Sequence, residues 1–254
     1  MTRVATGLVL LGIFLYIVVW SPPPLFLVVV AIVGVLCFHE YAGLVANHNL
    51  RAPGLFGYAG GLLFLFLPRP DFVFIVLIAL LALALALTSR ELADALPFAA
   101  ALVFGVVYVF GCLRAGIGLR SLSPFWLFFA LSENWIGDAA AYYIGRWLGR
   151  HKLAPRISPA KSWEGAVAST AASLIYAYFY FPYLLKGVPL AWALGIAAAG
   201  NIAGQIGDLC ESAMKRGAGV KDSGTMLPGH GGWLDRIDSS LFAMPVVYFL
   251  ANMS

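Results

Sequence analysis

Three runs of this chain, Val4 to Trp20, Leu25 to Phe38 and Phe72 to Leu87, contain no charged residue. In lipid there is no water to satisfy exposed backbone groups, so apolar segments of this length must close their own hydrogen bonds as helices. The rest of the chain agrees: 61% of its 254 residues are hydrophobic and 11% charged, with a mean hydropathy of +0.88. Those values lie far from the soluble average. The chain reads as an integral membrane protein with no soluble domain of useful size. A formal charge of +4 is modest and gives no reason to expect a nucleic-acid partner. Cys37, Cys112 and Cys210 lie apart in apolar surroundings, so neither a disulfide framework nor a thiolate metal site is expected. The first apolar run is followed by Ser21-Pro22-Pro23-Pro24 instead of a small-residue cleavage site, which marks it as a retained span.

Apolar runs broken by proline, glycine and charge give about nine spans, at roughly 4–20, 25–46, 52–67, 72–87, 96–112, 123–148, 163–185, 189–210 and 239–253. The expected fold is all-α and polytopic, one continuous membrane domain whose residues 1–122 form the N-terminal helices and 123–254 the C-terminal ones. With the N-terminus inside, only Arg69, Arg114, Arg120 and Lys186 of the 16 basic residues fall outside. That bias follows the positive-inside rule and puts the two most polar loops on the cytoplasmic face.

Two spans carry polar stripes. Asn201, Gln205, Asp208 and Ser212 are spaced to share one face of the eighth, and Asn134, Asp138, Tyr142 and Arg146 one face of the sixth. A carboxylate at mid-membrane costs about 2.5–3.5 kcal/mol on insertion scales, so Asp208 is expected to face an aqueous cavity or a cation. Asp138 lies two turns from Arg146, so it needs another partner, and packing of the two spans around a shared polar pocket would supply one. Glu40, beside His39 near the inner end of the second span, fits a helix-end charge reaching the interface as well as it fits a functional role. Between the sixth and seventh spans, Ser158-Pro159 or Ser162 with Glu164 signals a helix start, and free amides there beside Arg156 and Lys161 would suit an anion. A topogenic loop gripping anionic lipid heads is the alternative.

The segment from Asp208 to Asp238 is the most polar in the chain. Asp208, Asp235 and Asp238 are hard oxygen ligands of the kind Mg²⁺ takes, although Asp235 and Asp238 would serve equally as helix caps. Gly229, Gly231 and Gly232 around His230 offer amides that can approach a phosphate, without forming a P-loop. Lys215, Arg216, Lys221 and Arg236 add charge for a polyphosphate. Metal, basic clamp and membrane together suggest phosphoryl or nucleotidyl transfer on a lipid.

The run Ser212-x-Met214-Lys215-Arg216-x(4)-Lys221-Asp222-x-Gly224-x(2)-Leu227-Pro228-x-His230-Gly231-Gly232-x(2)-Asp235-Arg236-Ile237-Asp238 resembles the signature of the phosphatidate cytidylyltransferase family. Gly207-Asp208-Leu209-x-Glu211-Ser212 and the upstream Ser158-Pro159-x-Lys161-Ser162-Trp163 are similar to that family too. The resemblance implies transfer of CMP from CTP to phosphatidate, giving CDP-diacylglycerol and pyrophosphate, by a homodimer of the bacterial inner membrane with its site facing the cytoplasm. It further implies Mg²⁺, alone or with a second cation, on Asp208, Asp235 and Asp238, with Lys221 joining them in catalysis. Lys161, Ser162, Lys215, Arg216, His230, Gly231, Gly232 and Arg236 would then surround the phosphates. Asp138, Asn201, Gln205, Glu211 and Asp222 complete the candidate set. Trp233 and Ala139 depart from the family pattern. A transporter or channel with an intramembrane carboxylate path, or an inactive relative, are the competing readings; the aspartate pattern of the CDP-alcohol phosphotransferases does not occur in the chain.

Overall fold

The computed structural model describes residues 11–67, 72–89, 91–227, 229 and 231–253. Among these lie nine helices, corresponding one to one with the expected segments: α1 (Leu11–Trp20), α2 (Pro23–Asn47), α3 (Gly54–Phe66), α4 (Phe72–Ala86), α5 (Leu92–Leu122), α6 (Pro124–Leu148), α7 (Trp163–Leu184), α8 (Leu190–Gly217) and α9 (Leu234–Ala251). Three of them, α2, α5 and α8, are long and apolar enough to cross a membrane by length and composition.

The breaks fall where local chemistry dictates. Pro23 follows an extended Pro22 at the start of α2, its missing N–H being one that a first turn leaves unpaired anyway. Ser123 caps α6 by accepting from the Phe125 amide, with Pro124 at the first helical position. Arg120, in the last turn of α5, donates to the carbonyls of Val18 and Ser21 at the α1–α2 junction and lies over the Phe26 ring.

Four features differ from the sequence expectation, the first being that α5 runs on to Leu122, ten residues past the expected end at 112, so that Arg114 and Arg120 lie within the helix. Residues Lys152–Ala154 and Ser158–Ser162 pair as a short antiparallel hairpin, β1 and β2, so the chain is not purely helical. Helix α8 continues past residue 210 to Gly217, which places Lys215 and Arg216 in its last turn, where cations complement the helix dipole. Within α5, Val106–Gly111 adopts a π-helical turn, a widening common at functional sites.

The packed centre of the C-terminal half joins α6 to α7, α7 to α8 and α8 to α9. Phe129, Tyr176, Tyr180 and Phe181 interlock between α6 and α7, and Phe38 and Phe110 between α2 and α5. The outward faces remain apolar: Leu77, Leu80, Ile175 and Phe179 are all exposed, as lipid contact requires and water would not favour.

Candidate active site

A cleft of about 700 Å³ opens between the C-terminal half of α6, the hairpin, the start of α7 and α8. Both stripes read from the sequence reach it, since Asp138, Tyr142 and Arg146 line one wall and Gln205 and Asp208 another. The hairpin supplies Lys152, Lys161 and Ser162. The Lys161 ammonium donates to Asp208 Oδ2 at 2.5 Å, and Ser212 donates to Asp208 Oδ1 at 3.3 Å. Ser162 caps α7 by accepting from the Gly165 amide at 3.2 Å, leaving its hydroxyl proton for a ligand. Arg146 donates to the Tyr142 hydroxyl at 3.0 Å.

Deeper in the bundle the stripe becomes structural. Asn201 accepts from Thr170 at 3.0 Å and from Gln205 at 2.7 Å, and exchanges hydrogen bonds with Ser169. Asn201 therefore holds α7 to α8, and of this stripe it is Gln205 and Asp208 that reach the cleft. Asn134 is likewise buried, donating to the Ala130 carbonyl. Glu133, which belongs to neither polar stripe, is fully buried and accepts from Ser173 at 3.1 Å.

A second cluster surrounds Lys215. Its ammonium, 8% exposed as a residue, sits between Asp235 Oδ1 at 2.5 Å and Glu211. Asp235 Oδ2 accepts from the amides of Gly232 at 2.8 Å and Ser223 at 3.0 Å. Gly231, at φ +78°, makes the turn that brings these amides inward, and a Cβ there would meet Asp235 Oδ2 at 2.7 Å. Glu40 completes the arrangement: it accepts from the Ser223 hydroxyl at 2.8 Å and from the amides of Trp233 at 2.9 Å and Leu234 at 2.8 Å. Of the two roles the sequence leaves open for Glu40, the interface-reaching charge does not hold: the carboxylate is buried, capping α9 and bracing the glycine-rich loop. Its only sequence signal is a carboxylate near the end of an otherwise uncharged helix.

Of the expected metal-binding aspartates, Asp208 and Asp238 lie within electrostatic reach of each other and of Asp138. Asp235 belongs to the other cluster, with both oxygens engaged. Among the described residues no three His, Cys, Asp or Glu side chains come together tightly enough to enclose an ion by themselves. That geometry still fits Mg²⁺, which usually takes one or two carboxylates and completes its shell with water and phosphate oxygens. Asp208 and Asp238 are the two of these aspartates outside the Lys215 cluster, whereas Asp235, with both oxygens engaged, fits a scaffolding position.

Lys221, Asp222 and Arg236 are exposed. Arg216 is exposed too, donating to the carbonyls of Val220 at 3.0 Å and Ile157 at 3.4 Å, so that it links the loop to the hairpin. Gly232 directs its amide at Asp235 and not outward. His230 lies outside the described residues.

Comparison with known proteins adds to this geometry. The profile described as "Cytidylyltransferase family" matches residues 1–254. A protein of Bacillus subtilis named phosphatidate cytidylyltransferase is 34% identical over 264 residues, covering 98% of this chain and 96% of that protein. A namesake from Brucella suis is also 34% identical, covering 97% and 91%. One from Staphylococcus aureus reaches 41% over 165 residues, covering 61% and 60%.

Proposed function

The chain belongs to the cytidylyltransferase family, and we propose that it transfers CMP from CTP to phosphatidate, releasing pyrophosphate. The observation that carries this reading is the cleft, in which cations of the hairpin and α6 face the carboxylates Asp138 and Asp208. A nucleoside triphosphate needs cationic neighbours, and a metal on the carboxylates needs the polyphosphate to complete its shell.

The lipid phosphate attacks the α-phosphorus in line; one P–O bond forms as the α–β bridging P–O bond breaks, and pyrophosphate leaves. A phosphate is already anionic near neutral pH, so the site needs no strong base, and positioning with charge neutralisation carries most of the rate. Asp208 and Asp238 would hold Mg²⁺, which when bound supplies positive charge to the reacting phosphates. Lys161, Lys152 and Arg146 stand where they can take the nucleotide's remaining charge. Asp235 acts through Lys215 and the loop amides and Glu40 through the start of α9, so both position the loop that precedes Asp238. Lys221 and Arg236, exposed beside this loop, are the cations available to the departing pyrophosphate.

All nine helices are proposed to cross a bacterial inner membrane, the enzyme working as a homodimer with the cleft on the cytoplasmic side. Against the competing transporter reading stands the bonding of Asn201 and Gln205 to each other and to α7, which gives these side chains a packing role. The test is metal-dependent formation of a lipid nucleotide by purified protein from CTP and phosphatidate; folded protein that makes none would overturn the reading.

A further inference from the structure

The side-chain amide of Gln205 meets protein with one atom and the cleft with the other. Its Nε2 shares two hydrogens among Asn201 Oδ1 at 2.7 Å, Thr170 Oγ1 at 3.2 Å and the Ala166 carbonyl at 3.3 Å. A backbone carbonyl only accepts, so the nitrogen must be the atom turned toward α7, and the amide is held in one of its two orientations. Gln205 lines the cleft. Its Oε1 has no hydrogen-bond partner among the described residues and is not buried. The cleft is therefore offered a fixed, neutral acceptor.

Few groups on the two substrates can answer it. The phosphates of CTP and phosphatidate arrive as anions, and the ester oxygens of the lipid only accept, so none of these gains from a second acceptor opposite. Hydrogens to donate are carried by the nucleoside, on the exocyclic amine of the base and on the ribose hydroxyls. Asp138, another acceptor of the cleft, lies within electrostatic reach of Asp208 and Lys161 and so belongs to the charged end where the phosphates go. Ala166, whose carbonyl meets Gln205, lines the cleft together with Gly165 and Ala141, and side chains this small leave room for a flat ring.

We propose that Gln205 reads the base: its Oε1 accepts a hydrogen bond from the exocyclic amine of cytosine. Because the amide cannot turn over, the same oxygen would meet the carbonyl oxygen of uracil as acceptor against acceptor. Selectivity then comes from the mismatch as much as from the match. The proposal rests on the reading of the chain as a CTP-dependent enzyme. Asp208 lies three residues on, about 4.5 Å along α8, so one nucleotide can meet Gln205 with its base while its phosphates reach the carboxylate.

The test measures kcat/KM with phosphatidate and Mg²⁺ for CTP, UTP, 2′-deoxy-CTP and the triphosphate of 2-pyrimidinone riboside, which is CTP without its exocyclic amine. Wild type should prefer CTP to the pyrimidinone nucleotide by about tenfold or more, the worth of one hydrogen bond in an enclosed site. Gln205→Met should lose that preference, by lowering kcat/KM for CTP more than for the pyrimidinone nucleotide, and its CTP-to-UTP ratio should fall as well. Gln205→Asn, which keeps a polar amide but withdraws the oxygen by one methylene, should do the same and serves where the apolar variant does not fold. A role in packing alone would lower all four nucleotides together; unchanged ratios in both variants would therefore overturn the proposal. So would variants that alter only the CTP-to-2′-deoxy-CTP ratio, since the oxygen would then meet the ribose. An active wild type that uses CTP and the pyrimidinone nucleotide equally would overturn the base assignment alone, whereas a wild type that makes no lipid nucleotide from CTP would overturn the underlying enzymatic reading.

Discussion

Lys161 stands where two requirements meet. Its ammonium lies 2.5 Å from the carboxylate that would take a metal, in a cleft that would take a triphosphate. A divalent ion on Asp208 must displace it, and the displaced cation is then free for phosphate. Lys161→Met should therefore bind Mn²⁺ more tightly in the absence of nucleotide, measured by electron paramagnetic resonance titration, while its KM for CTP rises. Unchanged Mn²⁺ affinity would show that the pair does not compete with the metal. Asp208→Asn should lower kcat by about 10²–10³-fold, the range found when one main electrostatic stabiliser is removed, with folding intact by thermal melt. The residue types of this site were legible in the sequence, because lysines, aspartates and glycines stand out in an apolar chain. Their partnerships were not. Lys161 and Asp208 are 47 residues apart, and Glu40 is at least 183 from each partner, distances that no local periodicity reports.

At the scale of elements, the loop from Ser223 to Leu234 is held by two carboxylates that receive its hydrogen bonds from opposite ends of the chain: Glu40 from α2 and Asp235 from α9. Removing Glu40 leaves two backbone amides and a hydroxyl without their acceptor, at about 1–3 kcal/mol for each buried group. Glu40→Ala should lower the thermal midpoint in detergent and lose most activity, whereas Glu40→Gln, which keeps a carbonyl acceptor, should recover part of both. Equal damage from the two would point to the negative charge and not the acceptor geometry. Helix boundaries were readable where capping chemistry is local, as at Ser123-Pro124 and Ser162. The hairpin escaped because strands of three and five residues, built from Ser-Pro-Ala-Lys-Ser on one side, carry neither alternation nor β-branched enrichment. The end of α8 escaped because Glu211, Lys215 and Arg216 look like the close of a span, although the helix continues about two turns past residue 210.

For the whole molecule, the arrangement requires that the inner ends of α2, α6 and α8 and the start of α9 lie on one side of the membrane. Cysteines placed at Lys221 and Lys186, in a background without the three native cysteines, should label with an impermeant maleimide from opposite faces, Lys221→Cys in inside-out vesicles and Lys186→Cys in intact cells. Labelling of both from the same face would break the proposed nine-span topology. The helical segments were legible in the sequence, because apolar length is a summed property that survives ignorance of contacts; the topology that charge distribution suggests is what the labelling tests. What the sequence could not convey is how the spans divide the work, with Asn201 holding α7 to α8 while Asp208, about two turns further along, faces the cleft. The central claim is tested most directly by incubating purified wild-type protein with phosphatidate and labelled CTP, ATP, GTP or UTP, with and without Mg²⁺. The account predicts a lipid nucleotide and stoichiometric pyrophosphate from CTP alone and only with the metal. Folded protein that yields no lipid nucleotide from any of the four would contradict it.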